Sequence, residues 1–594
     1  MRLSNFSFLV GSLAALLLVY HNSFNHSFHY DDFHSIVENP HIRDLGNIGA
    51  FFYQPELFSS MPERAMFRPL VLASYAFNYR LGEYAVWGYH LVNFSIHFLC
   101  VFCVFLLGRA LGKAQWTAAW GAGLFALYPL QAEVVNYISS RSESLATLFY
   151  LTSLLTYLHW RKRGEKEWFF LALSLGAFVC ALLSKSIAAT LPAALLLGEW
   201  VWGREPGKGH RWREVAPYHL AYWVLVLGFV AVVSRGIQAA VGDPVRSLHL
   251  HFLTQIKAVI YYLYLGEMPV YLSVEHAFEV AQTALSAEVL LPLGLGLSIL
   301  ILLFALHESA AALLCLWAAL VLIPASLVPL NVLVNEHRLY LPLAFLSLAT
   351  AALFVHLPAR FRKLVCAALL AICGVLAQQR SAVWQDELSL WTDAVAKAPF
   401  MYRAHMHLGE ALRLEGRRRE ALQHHQLASE LAPDVVEVHF NRGVVLQELG
   451  LIDLAIAAYG KSLEIYPDFL PSLSNLGHVY FLEMGDSTRA VPYYRYAVDL
   501  GTRNAAVYRN LGSILHKRGN YAGATTIFEQ GLTQIPDAVM FYYGLASAQD
   551  RMGLGRAALA HYRTFLRLSR GQPAFEQYSR TRVAALERES PEDK

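Results

Sequence analysis

Tyr30-Asp31-Asp32 sets two adjacent carboxylates about ten residues beyond the first apolar run of the chain. A charge pair gains nothing hydrophobic from lying against a bilayer. An aspartate that is ionised near neutral pH can take a proton from a hydroxyl as its oxygen attacks, and burial would raise its basicity. Two neighbouring side chains on an extended segment cannot point the same way. One can therefore face a substrate while the other takes hydrogen bonds. Asp also caps helices and occupies solvated turns, so the pair on its own leaves both readings open.

Two further groups carry polar chemistry. His90, Asn93 and His97 are spaced i, i+3, i+7 and fall on one helix face. Polar groups inside an apolar helix turn toward a cavity or toward other helices, and helix-to-helix hydrogen bonding is the favoured role over a metal site. Isolated charges also stand at the ends of apolar runs: Arg68, Arg141 with Glu143, Lys185, and Glu336 with Arg338. Cations at a membrane surface suit a lipid-linked phosphate, and Arg grips it with two donors. Snorkelling, or an ion pair that ties helices together, is the other reading of each one.

These residues depend on a largely apolar scaffold. The 594-residue chain is 56% hydrophobic, with a mean hydropathy of +0.36, more than a soluble protein of this length carries. A net charge of +3 gives no footprint for nucleic acid. All six cysteines lie in apolar stretches. Cys100 and Cys103 form a lone CxxC without a second pair, so neither a disulfide framework nor a zinc site is expected. No motif demands a metal or other cofactor, although the composition leaves room for a divalent cation.

Apolar runs near 7–20, 90–108, 116–135, 143–160, 168–183, 186–202, 217–235, 288–306, 309–330, 339–357 and 362–379 predict about eleven membrane spans. The fifth and sixth are short enough to form one re-entrant feature. The first is read as a retained helix. Lys and Arg gather at Arg109 and Lys113, Arg161 to Arg163, Arg204 to Arg213, and Arg360 to Lys363, which places those loops and the N-terminus in the cytoplasm. The other face then receives loop 21–89 with the Asp pair, the ends that carry Arg141, Lys185 and Arg338, and segment 236–287. Residues 254–270 read as an amphipathic helix in the interface plane; a span there would reverse the final side.

Beyond residue 380 the pattern changes. Gly409, Gly443, Gly477, Gly512 and Ala546 form one series, and Ala421, Ala455, Ala490, Ala524 and Ala558 a second. Both step by 34, 34, 35 and 34 residues, the tetratricopeptide period. The extra residue is placed in the turn at Gly485-Asp486. Residues 1–380 are thus a membrane domain, 381–399 a degenerate half repeat, 400–570 five tetratricopeptide units and 571–594 a polar tail. Such arrays curve into concave surfaces for peptides or partner proteins.

Taken together, Tyr30-Asp31-Asp32…Asn39-Pro40, Phe67-Arg68-Pro69-Leu70, Gly88-Tyr89-His90-Leu91-Val92-Asn93…His97, Leu127-Tyr128-Pro129-Leu130-Gln131-Ala132-Glu133, Ser139-Ser140-Arg141, Ser184-Lys185 and Glu336-His337-Arg338-Leu339-Tyr340-Leu341-Pro342 resemble the transmembrane and tetratricopeptide-repeat O-mannosyltransferase-like proteins. Order, spacing and the trailing repeats agree over essentially the whole chain. The resemblance implies an all-α, GT-C-type glycosyltransferase with about 11 spans and a tetratricopeptide superhelix. It implies a polyprenol-phosphate sugar, mannose first, as donor, and protein Ser or Thr hydroxyls as acceptor. Asp31, beside Asp32, would be the base. Arg68, Arg141, Lys185 and Arg338 would bind phosphate, and His90, Asn93, His97 and Glu336 would support the site. The chain departs from the family in carrying Ser186 after Lys185 and His337 between Glu336 and Arg338. The expected host is a bacterial inner membrane with the repeats in the periplasm, or else the endoplasmic reticulum with the repeats in the lumen. A non-catalytic membrane-anchored scaffold, and a transferase acting on lipid or polysaccharide, are the alternatives.

Overall fold

The computed structural model describes residues 5–61, 64–163, 167–202, 212–242, 246–307, 309–328 and 332–589. Most of the basic loop from Arg204 to Arg213 lies outside them. The described residues are helices and loops with no strand. They divide into two compact units, residues 1–399 and 400–594.

The first unit holds α1 (Asn5–Tyr20), α2 (Pro69–Gly82), α3 (Val86–Ala110), α4 (Gln115–Leu127), α5 (Gln131–Asn136), α6 (Arg141–Arg163), α7 (Trp168–Leu182), α8 (Leu191–Trp202), α9 (Trp212–Gly242), α10 (Leu248–Glu267), α11 (Ala287–Ala305), α12 (Ala310–Leu327), α13 (Tyr340–Leu353), α14 (Ala359–Val383) and α15 (Glu387–Lys397). Each of the eleven expected spans is helical. Seven helices among the described residues are long and apolar enough to cross a membrane, and α7 and the helical stretch Ser186–Trp202 are shorter apolar ones.

The remaining two differ for separate reasons. α4 has 13 residues, about 20 Å, against a hydrocarbon core of about 30 Å, because Pro129 breaks the helix before α5. α6 is long enough, but Arg141, Glu143 and Arg161 to Arg163 dilute its apolar character. Tyr150, Leu151, Leu154 and Tyr157 are wholly buried, so α6 is an inner helix packed on α3 and α7. α11 is the opposite case. It buries only Val289 and exposes Leu290, Leu291, Leu293, Leu295, Leu297, Ile301, Leu302 and Phe304, a surface that only lipid satisfies. The chain is an integral membrane protein.

The first expected external loop is folded. Ile36, Ile42 and Phe51 pack with Val71, Leu72 and Tyr75 of α2, Tyr89 of α3 and Ile138. Asn39 fastens the middle of the loop, donating to the carbonyls of Ser35, Leu57 and Phe58 and accepting from the His41 amide. The expected interfacial segment is α10. It buries His251, Leu253, Thr254, Gln255, Ala258, Tyr262 and Leu265 while exposing Phe252, Val259, Leu263 and Tyr264.

The second unit is five helix pairs: α16 (Tyr402–Leu414) and α17 (Arg418–Leu431), α18 (Val436–Glu448) and α19 (Ile452–Ile465), α20 (Leu470–His478) and α21 (Ser487–Asp499), α22 (Ala505–Lys517) and α23 (Tyr521–Gln534), α24 (Val539–Arg551) and α25 (Gly555–Leu568). The small residues do what the period requires. A Cβ on Gly443 would stand 2.6 Å from the Tyr459 ring, and one on Gly477 2.5 Å from that of Tyr494.

Two expectations are corrected here. The extra residue of the third unit is not in the turn. It is absorbed by a π-turn over Val479–Glu483 that continues α20, an insertion that a helix takes up by widening one turn. Gly485 keeps the left-handed conformation of Gly450 and Gly519. Residues 571–594 are not a plain tail, because Pro573–Glu589 forms α26. Its Leu586 is buried with Ala546, Ala558 and Tyr562, and Arg582 grips Asp550 with two bonds of 2.7 Å. The half repeat 381–399 is in substance α15, which belongs to the first unit.

Candidate active site

The Asp pair opens a short helical segment, and the residue before it is strained. Tyr30 has φ +52°, a left-handed conformation that costs a bulky residue free energy and persists only where its surroundings enforce it. Here they are Trp391, whose ring centroid is 5.1 Å from that of Tyr30, and Tyr137 at 6.4 Å.

The two carboxylates diverge. Asp32 is wholly buried. Its Oδ1 accepts from the Ser139 amide at 2.8 Å and the Ser139 hydroxyl at 2.5 Å, and its Oδ2 from the His29 amide at 3.0 Å. Burial pushes its carboxyl up to about 6 against those hydrogen bonds. Asp31 keeps 42% of its side chain exposed. Its Oδ1 lies 3.1 Å from His34 Nε2 and 3.6 Å from Arg64 Nη1. Partial burial works to raise this carboxyl, but the bond from His34 and the charge of Arg64 outweigh it and hold it below the ordinary aspartate value. His34 Nδ1 is 3.0 Å from the Ser59 hydroxyl. With Ser59 donating to Nδ1, the proton of His34 sits on Nε2 and points at Asp31. Asp32 thus anchors the segment while Asp31 stays ionised and accessible. The sequence reading missed His34 and Ser59; only the spacing of His34, three residues after Asp31 on a helix, could have signalled the first.

The four expected phosphate cations separate into two groups. Arg141 is wholly buried. Its Nε donates to Asn93 Oδ1 at 2.7 Å, its Nη1 to Asn78 Oδ1 and Ser74 Oγ at 2.7 and 3.0 Å, and its Nη2 to the Tyr89 carbonyl at 2.9 Å. Tyr75 lies under the guanidinium at 4.9 Å. Every nitrogen of the fork is used to join α2, α3 and α6. Asn93 serves it, and His97 bonds the Tyr340 hydroxyl at 2.7 Å. His90 meets the His26 carbonyl at 3.3 Å. All three support the bundle through hydrogen bonds, and no group of three or more ligands that could hold a metal occurs among the described residues.

Arg68, Lys185 and Arg338 form the other group. Lys185 follows α7 and reaches Glu143 at 2.5 Å. Burial lowers its ammonium; Glu143 opposes that, while Arg68 and Arg338 are near enough to push it further down. Arg68 donates to Ser142 at 3.2 Å and lies over the Phe58 ring. Burial also lowers its guanidinium, with Glu143 and Asp31 among the charges that restore it. Arg338 donates to the Tyr262 hydroxyl and to the carbonyls of Leu333 and Val332. Lys185 and Arg68 therefore share the carboxylate of Glu143, Arg338 lies near Lys185, and Arg68 is within electrostatic reach of Asp31. Glu336 is used otherwise: it receives the Ser273 amide, with His276 at 3.3 Å and Arg380 at 3.5 Å.

Residues 71–253 match the family described as dolichyl-phosphate-mannose-protein mannosyltransferase. Residues 436–469 and 479–539 match tetratricopeptide repeats. The protein O-mannosyl-transferase TMTC3 of Homo sapiens is 22% identical over 623 residues, covering 96% of this chain and 64% of that protein. The protein O-mannosyl-transferase F38B6.6 of Caenorhabditis elegans is 26% identical over 428 residues, covering 68% of this chain and 60% of that protein.

The chain is a relative of the transmembrane and tetratricopeptide-repeat O-mannosyltransferase-like proteins. It spans less than two thirds of the length of these relatives: 20% of Tmtc2 and 65% of Tmtc3 of Drosophila melanogaster. The mannosyltransferase match covers Arg141, Glu143 and Lys185 but begins after Asp31 and Arg68. The repeats are also similar to the solved structure of YrrB, a tetratricopeptide-repeat protein, at 17% identity and a TM-score of 0.28, over 32% of this chain and 97% of that one.

Proposed function

We propose that this relative of the O-mannosyltransferase-like proteins is a glycosyltransferase that moves a sugar, mannose by kinship, from a polyprenol-phosphate donor to Ser or Thr hydroxyls. The observation that carries this reading is an accessible, ionised Asp31 within electrostatic reach of Arg68, which shares Glu143 with Lys185, beside Arg338. Asp31 takes the proton of the acceptor hydroxyl, the freed oxygen attacks the anomeric carbon, and the phosphate leaves from the opposite face with inversion. The cations stabilise the charge that grows on the departing phosphate, which is worth most where water is excluded. An apolar groove of about 590 Å³ between α7 and α9, lined by Leu175, Val179, Leu220, Val224 and their neighbours, gives an isoprenoid tail a place beside the helix that precedes Lys185.

The repeat unit holds the acceptor polypeptide or a partner protein. The site faces a compartment that receives polyprenol-linked sugars, either the periplasm at a bacterial inner membrane or the lumen of the endoplasmic reticulum. Glycoproteomics of the host with and without this chain tests the reading. Loss of O-hexose from Ser and Thr sites supports it. An unchanged glycoproteome beside an altered polysaccharide favours a lipid or polysaccharide acceptor, and no glycan change at all leaves a membrane-anchored scaffold.

A further inference from the structure

Asn441, Asn475 and Asn510 follow the period of the repeats. Each stands two residues before the glycine that takes an aromatic ring, in α18, α20 and α22, so the three occupy one equivalent position on one face of the array. Sixteen residues before each lies the ring that the preceding unit packs on its own glycine: His425, Tyr459 and Tyr494. The two tyrosines hold the amides that follow them. Asn475 Nδ2 donates to the Tyr459 hydroxyl at 3.1 Å, and that hydroxyl donates in turn to Gln447 Oε1 at 2.8 Å. Asn510 Nδ2 donates to the Tyr494 hydroxyl at 3.0 Å. The pairing ends where the hydroxyl ends. Phe528 takes the tyrosine position in the fourth unit, and the residue sixteen further on is Gly544, whose Cβ would fall 2.5 Å from that ring.

What the tyrosines leave over is hydrogen-bonding capacity. Asn475 and Asn510 each keep Oδ1 and one N–H without a partner among the described residues, although Asn510 is only 7% exposed. The whole carboxamide of Asn441 is likewise without a partner there. One turn along α20 from Asn475, His478 has its Nε2 buried and unpaired. Buried polar groups are nearly always hydrogen-bonded, so this row calls for a ligand that brings donors and acceptors at the same period.

A peptide backbone brings both. A free carboxamide offers one acceptor and one donor, the same pair that a peptide unit carries. An extended chain keeps those groups available, whereas a helix spends them internally. α16 packs on α18, and α22 on α24. Packed helices lie about 8–10 Å apart and an extended chain rises about 3.3 Å per residue, so about three residues match each step of the array.

We propose that Asn441, Asn475 and Asn510 form a ladder that binds an extended acceptor polypeptide through its main chain. That the occupant is an acceptor rests on the glycosyltransferase reading above. Each rung accepts a peptide N–H on Oδ1 and donates its free N–H to a peptide carbonyl. At Asn475 and Asn510 the tyrosine beneath holds the amide in place for this. Because the contacts are to the main chain, the side chains around the acceptor hydroxyl are free to vary, and unfolded segments are taken in preference to helices.

The test is fluorescence anisotropy of a labelled Ser/Thr/Ala peptide with the purified full chain in detergent micelles. Beside it runs the same peptide N-methylated along its centre, which removes backbone donors and leaves the side chains unchanged. The wild type should bind the plain peptide about 10-fold or more tightly than the methylated one, as the loss of several hydrogen bonds requires. The double variant Asn475→Ala, Asn510→Ala should bind the plain peptide as weakly as the methylated one. The wild-type comparison needs no variant, so it decides the matter even if the double variant does not fold. Equal wild-type affinity for the two peptides, binding of neither, tighter binding of a stapled helix of the same composition, or a folded double variant that keeps the preference overturns the proposal. A wild type that transfers sugar to the peptide without such a preference loses this inference alone. One that shows the preference but transfers no sugar keeps the ladder as a peptide site and loses the glycosyltransferase reading.

Discussion

His29 Nδ1 lies 2.8 Å from Glu387 Oε1, joining residues 358 positions apart. The other ring nitrogen meets the Trp384 carbonyl at 2.8 Å. With an acceptor on each nitrogen, the buried ring is held as an imidazolium. Burial works against the charge, but Glu387, Asp32 and the carbonyl outweigh it and raise the His29 pKa. The ring is thus a clamp between the segment that carries the Asp pair and α15, whose Trp391 also donates to Glu387 and faces Tyr30.

That clamp predicts a pH dependence. A group with a raised folded pKa contributes stability that is complete below its unfolded value, about 6.5 for histidine, and is lost as pH rises through the folded value. The Tm of the detergent-solubilised protein should therefore decline from about pH 6.5 upward. Glu387→Gln should remove most of that slope and cost about 1.5–3 kcal/mol on the acid side, the range for a hydrogen bond to a charged group. A Tm slope equal in both proteins would refute the clamp.

Lys185 and Glu143 predict a separation of stability from binding. Lys185→Met strands a buried carboxylate and should cost about 3–5 kcal/mol. Adding Glu143→Gln should return most of that loss, because neither charge is then left unpaired. Donor affinity should not return with it. The KM for a polyprenol-phosphate sugar should stay roughly 10-fold or more above wild type in both proteins, as expected for one lost contact to phosphate. Recovery of KM in the double variant would show that Lys185 serves only the fold.

Arg141→Lys should act on folding. A single ammonium cannot reach Asn93, Asn78 and the Tyr89 carbonyl together, and each buried acceptor left unpaired costs about 1–3 kcal/mol. The expected outcome is a lower Tm and reduced folded yield. A higher KM for donor at unchanged Tm would return Arg141 to the phosphate site.

The repeat unit supplies a prediction of its own. Gly443→Ala forces a methyl to within 2.6 Å of the Tyr459 ring, and overpacking of this kind costs about 1–3 kcal/mol. Proteolysis of the full chain should then cut first within residues 400–594, with residues 1–399 surviving. Protection equal to wild type would count against close packing of that helix pair.

Much of this was legible in the chain because the signals are periodic or local. Apolar runs marked stretches that are helical, and a lipid-facing helix such as α11 must be apolar wherever it is exposed. The Gly443 and Gly477 series gave the repeats, since ring-to-backbone contact forbids a side chain there. What the sequence hid was long-range. Arg141 and Lys185 look alike as charges at the ends of apolar runs, and only the carbonyl and amide groups of α2 and α3 reveal that the first is spent inside the bundle. Glu133 meets the His337 ring from 204 positions away, so no spacing rule pairs them. The π-turn at Val479–Glu483 shares its one-residue signature with a longer loop, and only backbone geometry tells the two apart.

The most direct measurement is mannose transfer from a polyprenol-phosphate donor to a Ser/Thr peptide by the purified chain in liposomes, wild type against Asp31→Asn. Because Asp31 is half-exposed, the variant should fold and melt as wild type does while transfer falls by about 10²–10⁴-fold, the range for loss of a general base. Equal rates from the two proteins would contradict the assignment of Asp31 as the base on which the account depends.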